Sequence, residues 1–314
     1  YICTGVDIGR KLHHLTFAQG QLAVVPPGLM EIPFPVIFDL VPAHFQRGVV
    51  LRSIAKAAAT LDTLFVANGS NVAAGISLDE GYAVPLYEAG DAGEVRTAAP
   101  MIMTPYSENV LDFQAHIKSE SPNRLVAIRL EATPDAARQV CELTRDGAEV
   151  VHLVFDPHGR EHASAASSPR HMRDVLREVH RALVKDGTRD LVTLIASGGI
   201  AQAEHVAKAI ICGADLVAID LPLLVALECR LCGECTRSEE CPAHLEDADE
   251  GYAVQRIVNL MGAWQNQLLE LLGAMGIREM RRLRGETGRA MFFEDLEATH
   301  FGRLFGTRKL GIKN

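Results

Sequence analysis

Four of the chain's seven cysteines stand within thirteen residues, in the stretch "CRLCGECTRSEECP" from Cys229 to Pro242. A thiolate is a soft ligand suited to iron–sulfur clusters and to zinc. Structural zinc sites usually draw two ligand pairs together across a hairpin or helix, whereas Cys229, Cys232 and Cys235 follow one another at two-residue spacing. That run, closed by Cys241 and a proline, has the pattern by which a loop wraps a cubane. The last spacing is five residues, so Cys241 is expected to serve the same cluster as the other three. The expectation is an iron–sulfur cluster, 4Fe–4S or 3Fe–4S, on Cys229, Cys232, Cys235 and Cys241, with structural zinc as the alternative. Cys3, Cys141 and Cys212 lie far apart. Lone thiols of that kind fit a reducing compartment, and the cytoplasm is expected.

Three further groups could do chemistry. "IASGGI" ends a predicted strand and leads into a helix, so Ser197, Gly198 and Gly199 could bring backbone N–H groups to a phosphate. Arg129 sits inside the apolar run "RLVAIRLEA". A charge there needs a partner, which is either an anionic ligand or an internal acid: Asp39, Glu131 or Asp220. "HGREH" (158–162) fits the H-x-x-E-H order of some zinc peptidases, but it follows a strand through a Pro-His-Gly turn, and the match is read as accidental. Asp156, His158 and His162 are then polar loop residues that could touch a small ligand.

Elements that would position these groups alternate along the chain. Strands are predicted at 35–40, 63–69, 83–89, 100–105, 124–132, 149–157, 191–199 and 216–222, several of them continuous apolar runs as in parallel sheets covered on both faces. Helical spacing separates many of them: 48–62, a helix opening at Ser168 with Pro169 as its first residue, and 201–212 stopped by Gly213. Eight βα repeats favour an α/β fold of the (β/α)8 (TIM) barrel type over an open sheet. The cysteines would follow the eighth strand directly, at the face where such barrels do their chemistry. Beyond them, 251–277 forms a long amphipathic helix with Val254, Ile257, Val258, Met261, Trp264, Leu268 and Leu271 near one face. The expected organisation is an N-terminal segment (1–34), the barrel (35–228), the cysteine loop (229–245) and a helical C-terminal extension (246–314).

Composition narrows the partners. A net charge of −9 and a pI near 5.7 argue against nucleic acid, and the basic stretch "REMRRLRGETGR" reads as a solvated helix face. The best apolar run is interrupted by Asp220 and Pro222, so no membrane span is expected. No signal peptide is visible, and a start at Tyr1 reads as a piece of a longer polypeptide or a subunit seen in part.

The combination of "LIASGGIAQAEHVAKAIICGADLVAIDLPLLVALECRLCGECTRSEECP" with the helix that follows resembles the FMN-binding domain of glutamate synthase, in its short archaeal and bacterial form. The resemblance is clear over about 188–280. It is weaker upstream, in "HLTFAQGQLAVVP" and in "PVIFDLVPAHFQRGVVLRSIAKAAATLDTLFVANGS". It implies a (β/α)8 barrel with FMN at the mouth, Ser197, Gly198 and Gly199 at the flavin phosphate, and a cluster on Cys229, Cys235 and Cys241, with Cys232 as the short form's extra cysteine. The family reaction is reductive formation of glutamate from 2-oxoglutarate and ammonia. Here a flavin-facing lysine is replaced by Arg129, and a phosphate-binding glycine by Asp220, with Pro222 two residues on. The phosphate loop thus allows FMN, while Asp220 and Pro222 oppose it. The expected function is an iron–sulfur redox protein of glutamate-synthase type, passing electrons to or from a flavin or partner subunit, with Arg129 as the candidate catalytic residue and room for a small-molecule ligand. The alternative is an inactive barrel serving as a scaffold, its cysteines holding zinc.

Overall fold

In a computed structural model, residues 1–12, 17–18, 21–22, 28–70, 81–88, 98–162, 168–237 and 241–287 are described. All eight predicted barrel strands form. They are β5 (Val36–Phe38), β6 (Phe65–Asn68), β7 (Ala83–Leu86), β8 (Met101–Pro105), β9 (Leu125–Glu131), β10 (Val150–Val154), β11 (Thr193–Ser197) and β12 (Leu216–Ile219). Each pairs in parallel with the next, and β12 returns to β5 through Val217–Val36, Ala218–Ile37 and Ile219–Phe38, so the sheet closes as a (β/α)8 barrel. Nearly every strand residue is buried, as continuous apolar runs require when helices cover the outer face and side chains fill the inside.

The described helices on the outside are α1 (Gly48–Leu61), α2 (Val110–Glu120), α3 (Ala136–Arg145), α4 (Met172–Asp186) and α5 (Ala203–Cys212). Helix α4 starts at Met172, three residues later than Pro169 would place it. The reason is local: Glu161 accepts from the Arg170 N–H at 3.0 Å, Arg160 and His171 form an antiparallel bridge, and His171 caps the helix by accepting from the Arg173 N–H. Gly213 stops α5 as expected, at a φ of 127°.

The cysteines do not follow the eighth strand directly. A short helix, α6 (Leu221–Ala226), intervenes. After the cysteine loop comes α7 (Glu250–Met275), capped by Asp249, whose Oδ1 accepts from the Tyr252 N–H at 2.8 Å. It buries Ala253, Ile257, Met261, Trp264, Leu268 and Leu272 against α1, α5 and α6, so the stripe lies on the barrel and reaches Leu272 rather than Leu271.

At the opposite end, β1 (Val6–Gly9) pairs antiparallel with β4 (Leu29–Ile32), and a two-residue pair, β2 (Phe17–Ala18) and β3 (Gln21–Leu22), lies between them in sequence. Thr193 at the start of β11 clamps this hairpin, its Oγ1 donating to the Gly9 carbonyl and accepting from the Gly9 N–H, both at 3.0 Å. The bottom of the barrel is therefore closed, and the C-terminal ends of the strands are the open face. The basic stretch after α7 is not simply a solvated face. Its 3-10 turn (Met280–Leu283) packs its apolar residues inward, and Arg284 reaches the half-buried Asp215. The phenylalanine-bearing segment beyond 287 lies outside the described residues, as do His13 and His14. Among the described residues, no helix is long and apolar enough to cross a membrane.

Candidate active site at the barrel mouth

In the closed ring, β5 and β9 are four strands apart in either direction and so face one another across the lumen. Asp39 follows β5, fixed by its N–H donating to the Ile219 carbonyl at 2.7 Å. Arg129 projects from β9 and crosses the barrel to meet it. Nη1 donates to Oδ1 at 2.7 Å and Nη2 to Oδ2 at 3.2 Å, a forked contact that a lysine could not make. Of the internal acids open to Arg129 from the sequence, Asp39 is the partner.

One residue beyond the sequence-derived set joins this pair. His152 lies on β10 in register with Arg129, fully buried, with Nδ1 3.2 Å from Arg129 Nη1 and Nε2 2.8 Å from Ser197 Oγ. A guanidinium can only donate, so Nδ1 is the acceptor and the neutral ring carries its proton on Nε2, donated to Ser197. Burial first, and the Arg129 charge second, drive the His152 pKa down to about 3 against the opposing pull of Asp39, which keeps the ring neutral. Asp220, singled out from the sequence, lies beside the same cavity. Burial pushes its carboxyl above the usual range, and the Asp39 charge adds to that. Asp39 itself is held low: burial works against its ionisation, but the nearby His152 ring, the Arg129 charge and the hydrogen bonds from Arg129 and the Leu40 N–H outweigh it.

This arrangement differs from a hydrolase's serine–histidine pair. There the ring nitrogen facing the serine must accept a proton, with a carboxylate on the other nitrogen. Here the guanidinium fixes the reverse tautomer, so Ser197 accepts from His152 and its own proton is free for another acceptor. His152 was missed because a histidine in "EVVHLVFDP" reads as core. The available signal was a second polar residue in the strand next to Arg129.

Ser197, Gly198 and Gly199 lie at the mouth as expected, but the glycines are needed for a neighbour within the chain. A Cβ on Gly198, at φ 96°, would stand 2.4 Å from the Phe155 carbonyl oxygen. One on Gly199, at φ 69°, would stand 2.5 Å from the Gly159 nitrogen. The 155–159 turn is braced on this spot: Asp156 Oδ1 accepts from the His158 and Arg160 N–H groups, both at 2.8 Å, and the Gly159 carbonyl accepts from the Met172 N–H at 2.7 Å. What remains is a cavity of about 150 Å³ bordered by Asp39, Arg129, Phe155, Ser197, the two glycines and Asp220. "HGREH" forms no metal site, since Glu161 is buried in an ion pair with Arg170 (2.8 Å) and His158 is exposed.

The cysteine loop lies beside this mouth, its 3-10 turn (Glu234–Arg237) packing on the turn Ala43–Phe45 that follows β5. Its backbone curls through positive φ at Glu228 (73°), Leu231 (54°) and Gly233 (78°). The Leu231 N–H donates to Cys229 Sγ at 3.4 Å, and Cys241 is buried. Burial, and then the proximity of Cys229, Cys232 and Cys241, raise the Cys235 thiol pKa, so the four sulfurs share one electrostatic neighbourhood. Among the described residues, however, no three histidine, cysteine or acidic side chains already converge at metal-binding distance.

The comparisons with known proteins fall on the same part of the chain. The family described as "Conserved region in glutamate synthase" matches residues 162–278. An archaeal glutamate synthase [NADPH] from Methanocaldococcus jannaschii is 34% identical over 165 residues, 50% of this chain and 31% of that protein. One from Archaeoglobus fulgidus is 29% identical over 63% of this chain and 41% of its own length. The glutamate synthase [NADPH] large chain of Azospirillum brasilense is 24% identical over 69% of this chain but only 15% of its own length. The chain thus spans well under half of the curated relatives it matches. Among solved structures, a mandelate oxidase variant with a monooxide FMN adduct superposes with a TM-score of 0.53 at 15% identity, covering 90% of this chain and 87% of that one. A flavocytochrome b2 variant with benzoylformate gives 0.55 at 12%, covering 98% and 75%; at such identities the likeness is one of fold. Over the segment that holds the cysteine loop and α7, the chain is thus similar to the conserved region of glutamate synthase and to archaeal glutamate synthases.

Proposed function

We propose that this chain is a glutamate-synthase-type redox protein, with an iron–sulfur cluster held by Cys229, Cys232, Cys235 and Cys241 beside the barrel mouth and a partner subunit or flavin as its redox counterpart. The observation that carries this reading is the position of four cysteines in one loop packed on the mouth, inside the segment that matches the family model. When bound, the cluster would supply one-electron chemistry. The chain's contribution is the Leu231 N–H donated to a ligand sulfur, the left-handed turns that curl the loop, and the burial of Cys241.

The family and the barrel likeness make FMN the flavin to test, but the mouth as built does not fit it. Pockets for organic ligands run to roughly 300–1,000 Å³, against about 150 Å³ here, and the 155–159 turn packs against the back of the glycines. Binding 2-oxoglutarate would call for a free cation, and Arg129 is already forked onto Asp39. We therefore assign the chain the electron-transfer part of the family's chemistry rather than glutamate synthesis.

The test is the iron, sulfide, zinc and flavin content of anaerobically purified protein. Iron and sulfide in cluster stoichiometry, with a visible chromophore lost in Cys235→Ser, are the expected result. Colourless protein with stoichiometric zinc would instead identify a structural metal and a scaffold role.

A further inference from the structure

We infer that Asp39 and Arg129, set by His152 and Ser197, form a permanent bar across the barrel that excludes flavin-sized ligands from the mouth. The inference concerns the barrel's ligand capacity and stands apart from the identity of the metal in the cysteine loop.

The bar is built into opposite walls. Its two ends lie on strands that face one another across the ring, and its middle passes over the lumen where a ring system would lie. Each end is held independently of the other. Asp39 is fixed by its own N–H on Ile219 and by the Leu40 N–H on Oδ1, while Arg129 is steadied by His152 from the adjacent strand. His152 is in turn held through Ser197, so four side chains from four strands share one network whose members Asp39, His152 and Ser197 are all at least 95% buried.

Charge makes the bar hard to lift. A ligand that captured Arg129 would leave Asp39 as a buried anion with no counter-ion and His152 Nδ1 with no donor. Such a ligand would have to bring an anionic group for Arg129 and a cationic one for Asp39 at the same time, or force Asp39 to take a proton. A flavin offers its ring carbonyls and phosphate as acceptors and no cation. The glycine wall of the cavity is backed by backbone rather than side chain: the Phe155 and Asp156 carbonyls lie where any Cβ on Gly198 would go. Side-chain motion alone would not clear that contact. The remaining cavity admits a ligand of a few heavy atoms.

The experiment titrates the full chain, purified with its native metal content, into FMN while following flavin fluorescence and protein Tm. No saturable quenching and an unchanged Tm are expected. One-to-one quenching at low micromolar FMN, or flavin co-purifying in stoichiometric amount, would overturn the inference. Iron and sulfide assays on the same sample report on the cysteine loop separately, so loss of one reading leaves the other measurable. A second arm tests whether the network is a fixed part of the fold. Arg129→Met and Asp39→Asn should each lower Tm by about 6–10 °C, and the double variant should recover much of that loss. Unchanged Tm in both single variants would mean that the pair can open freely, and would equally sink the proposal.

Discussion

Two buried ion pairs sit at opposite ends of the same barrel and are built on different principles. At the bottom, Arg189 donates to the Val192 and Gly213 carbonyls (2.9 and 2.7 Å) and to Asp215 (2.8 Å), and Asp215 also accepts from the Leu194 N–H and from Arg284. That network is stitched to backbone on several sides and ties the segment after α7 to the start of β12. At the mouth, Arg129 has Asp39 and His152 as its polar partners and a cavity on its flank. The bottom pair is a fastening, and the mouth pair is a filling. Where (β/α)8 barrels commonly present a functional surface, this chain presents a self-satisfied network of side chains.

The largest loss should come from breaking the fastening. Asp215→Asn leaves two guanidinium groups, Arg189 and Arg284, without their shared carboxylate in a buried setting. A loss of about 3–5 kcal/mol is expected, read as a fall in the urea midpoint at unchanged slope. Arg129→Met should cost less, about 2–4 kcal/mol, because it strands a single ion, Asp39, which keeps the Leu40 N–H, whereas Asp215→Asn removes a carboxylate shared by two guanidinium groups. If the mouth variant proved the more damaging, the contrast between fastening and filling would be reversed.

Acid should act on each end through a histidine. The His152 pKa is lowered in the folded protein, to about 3 from 6.5, so its neutral state contributes stability that is complete above pH 6.5 and drains away as pH falls towards 3. By pH 5 the expected loss from this one group is about 2 kcal/mol. Asp39, whose folded pKa is depressed, loses its contribution only below the ordinary carboxylate range, on the acid side of the same window. Asp215 is depressed in the same direction and titrates there too. Between pH 6.5 and 5, therefore, the mouth should soften through His152, and the bottom through His180, whose Nδ1 accepts from Arg189 and whose pKa burial and the Arg189 charge also lower. In a His152→Gln variant the stability curve over that interval should be flatter than in the parent; an identical slope in both would show that the ring is not buried neutral.

How much of this was legible beforehand depended on whether a residue contradicted its surroundings. Arg129 did, as a charge within an apolar strand, and the requirement for a partner led to a short list containing Asp39. The cysteine loop did so through its spacing, and the eight strands through continuous apolar runs between helical periods. Arg189 and Asp215 gave no such sign. "TRD" and "GAD" look like polar connectors, and only closure of the barrel brings residues 26 apart into contact. Gly198 and Gly199 were legible as positions that must lack a side chain, but the sequence carries no information about which atoms take the space. That depends on the 155–159 turn, which is fixed by a hydrogen bond to the first residue of α4. The start of α4 was misplaced for the same reason: Pro169 is a good first helical residue, yet Glu161 captures the Arg170 N–H and keeps those residues extended.

The smallest expected effect bears most directly on how the filling is ordered. Ser197→Ala removes the acceptor for His152 Nε2–H, now 2.8 Å away, and leaves a buried donor unpaired. About 1–2 kcal/mol should be lost, less than for either charge because no ion is stranded. The imidazole nitrogen resonances are the more telling readout. While Arg129 still donates to Nδ1, the ring has no alternative tautomer available, so the Nε2–H form should persist in Ser197→Ala despite the lost partner. In Arg129→Met that constraint is gone, and the proton should redistribute between the two nitrogens. If Ser197→Ala shifted the proton to Nδ1 instead, the guanidinium would not be donating there. His152 would then be free to act as a base towards Ser197, and the mouth would have to be regarded as reactive rather than filled.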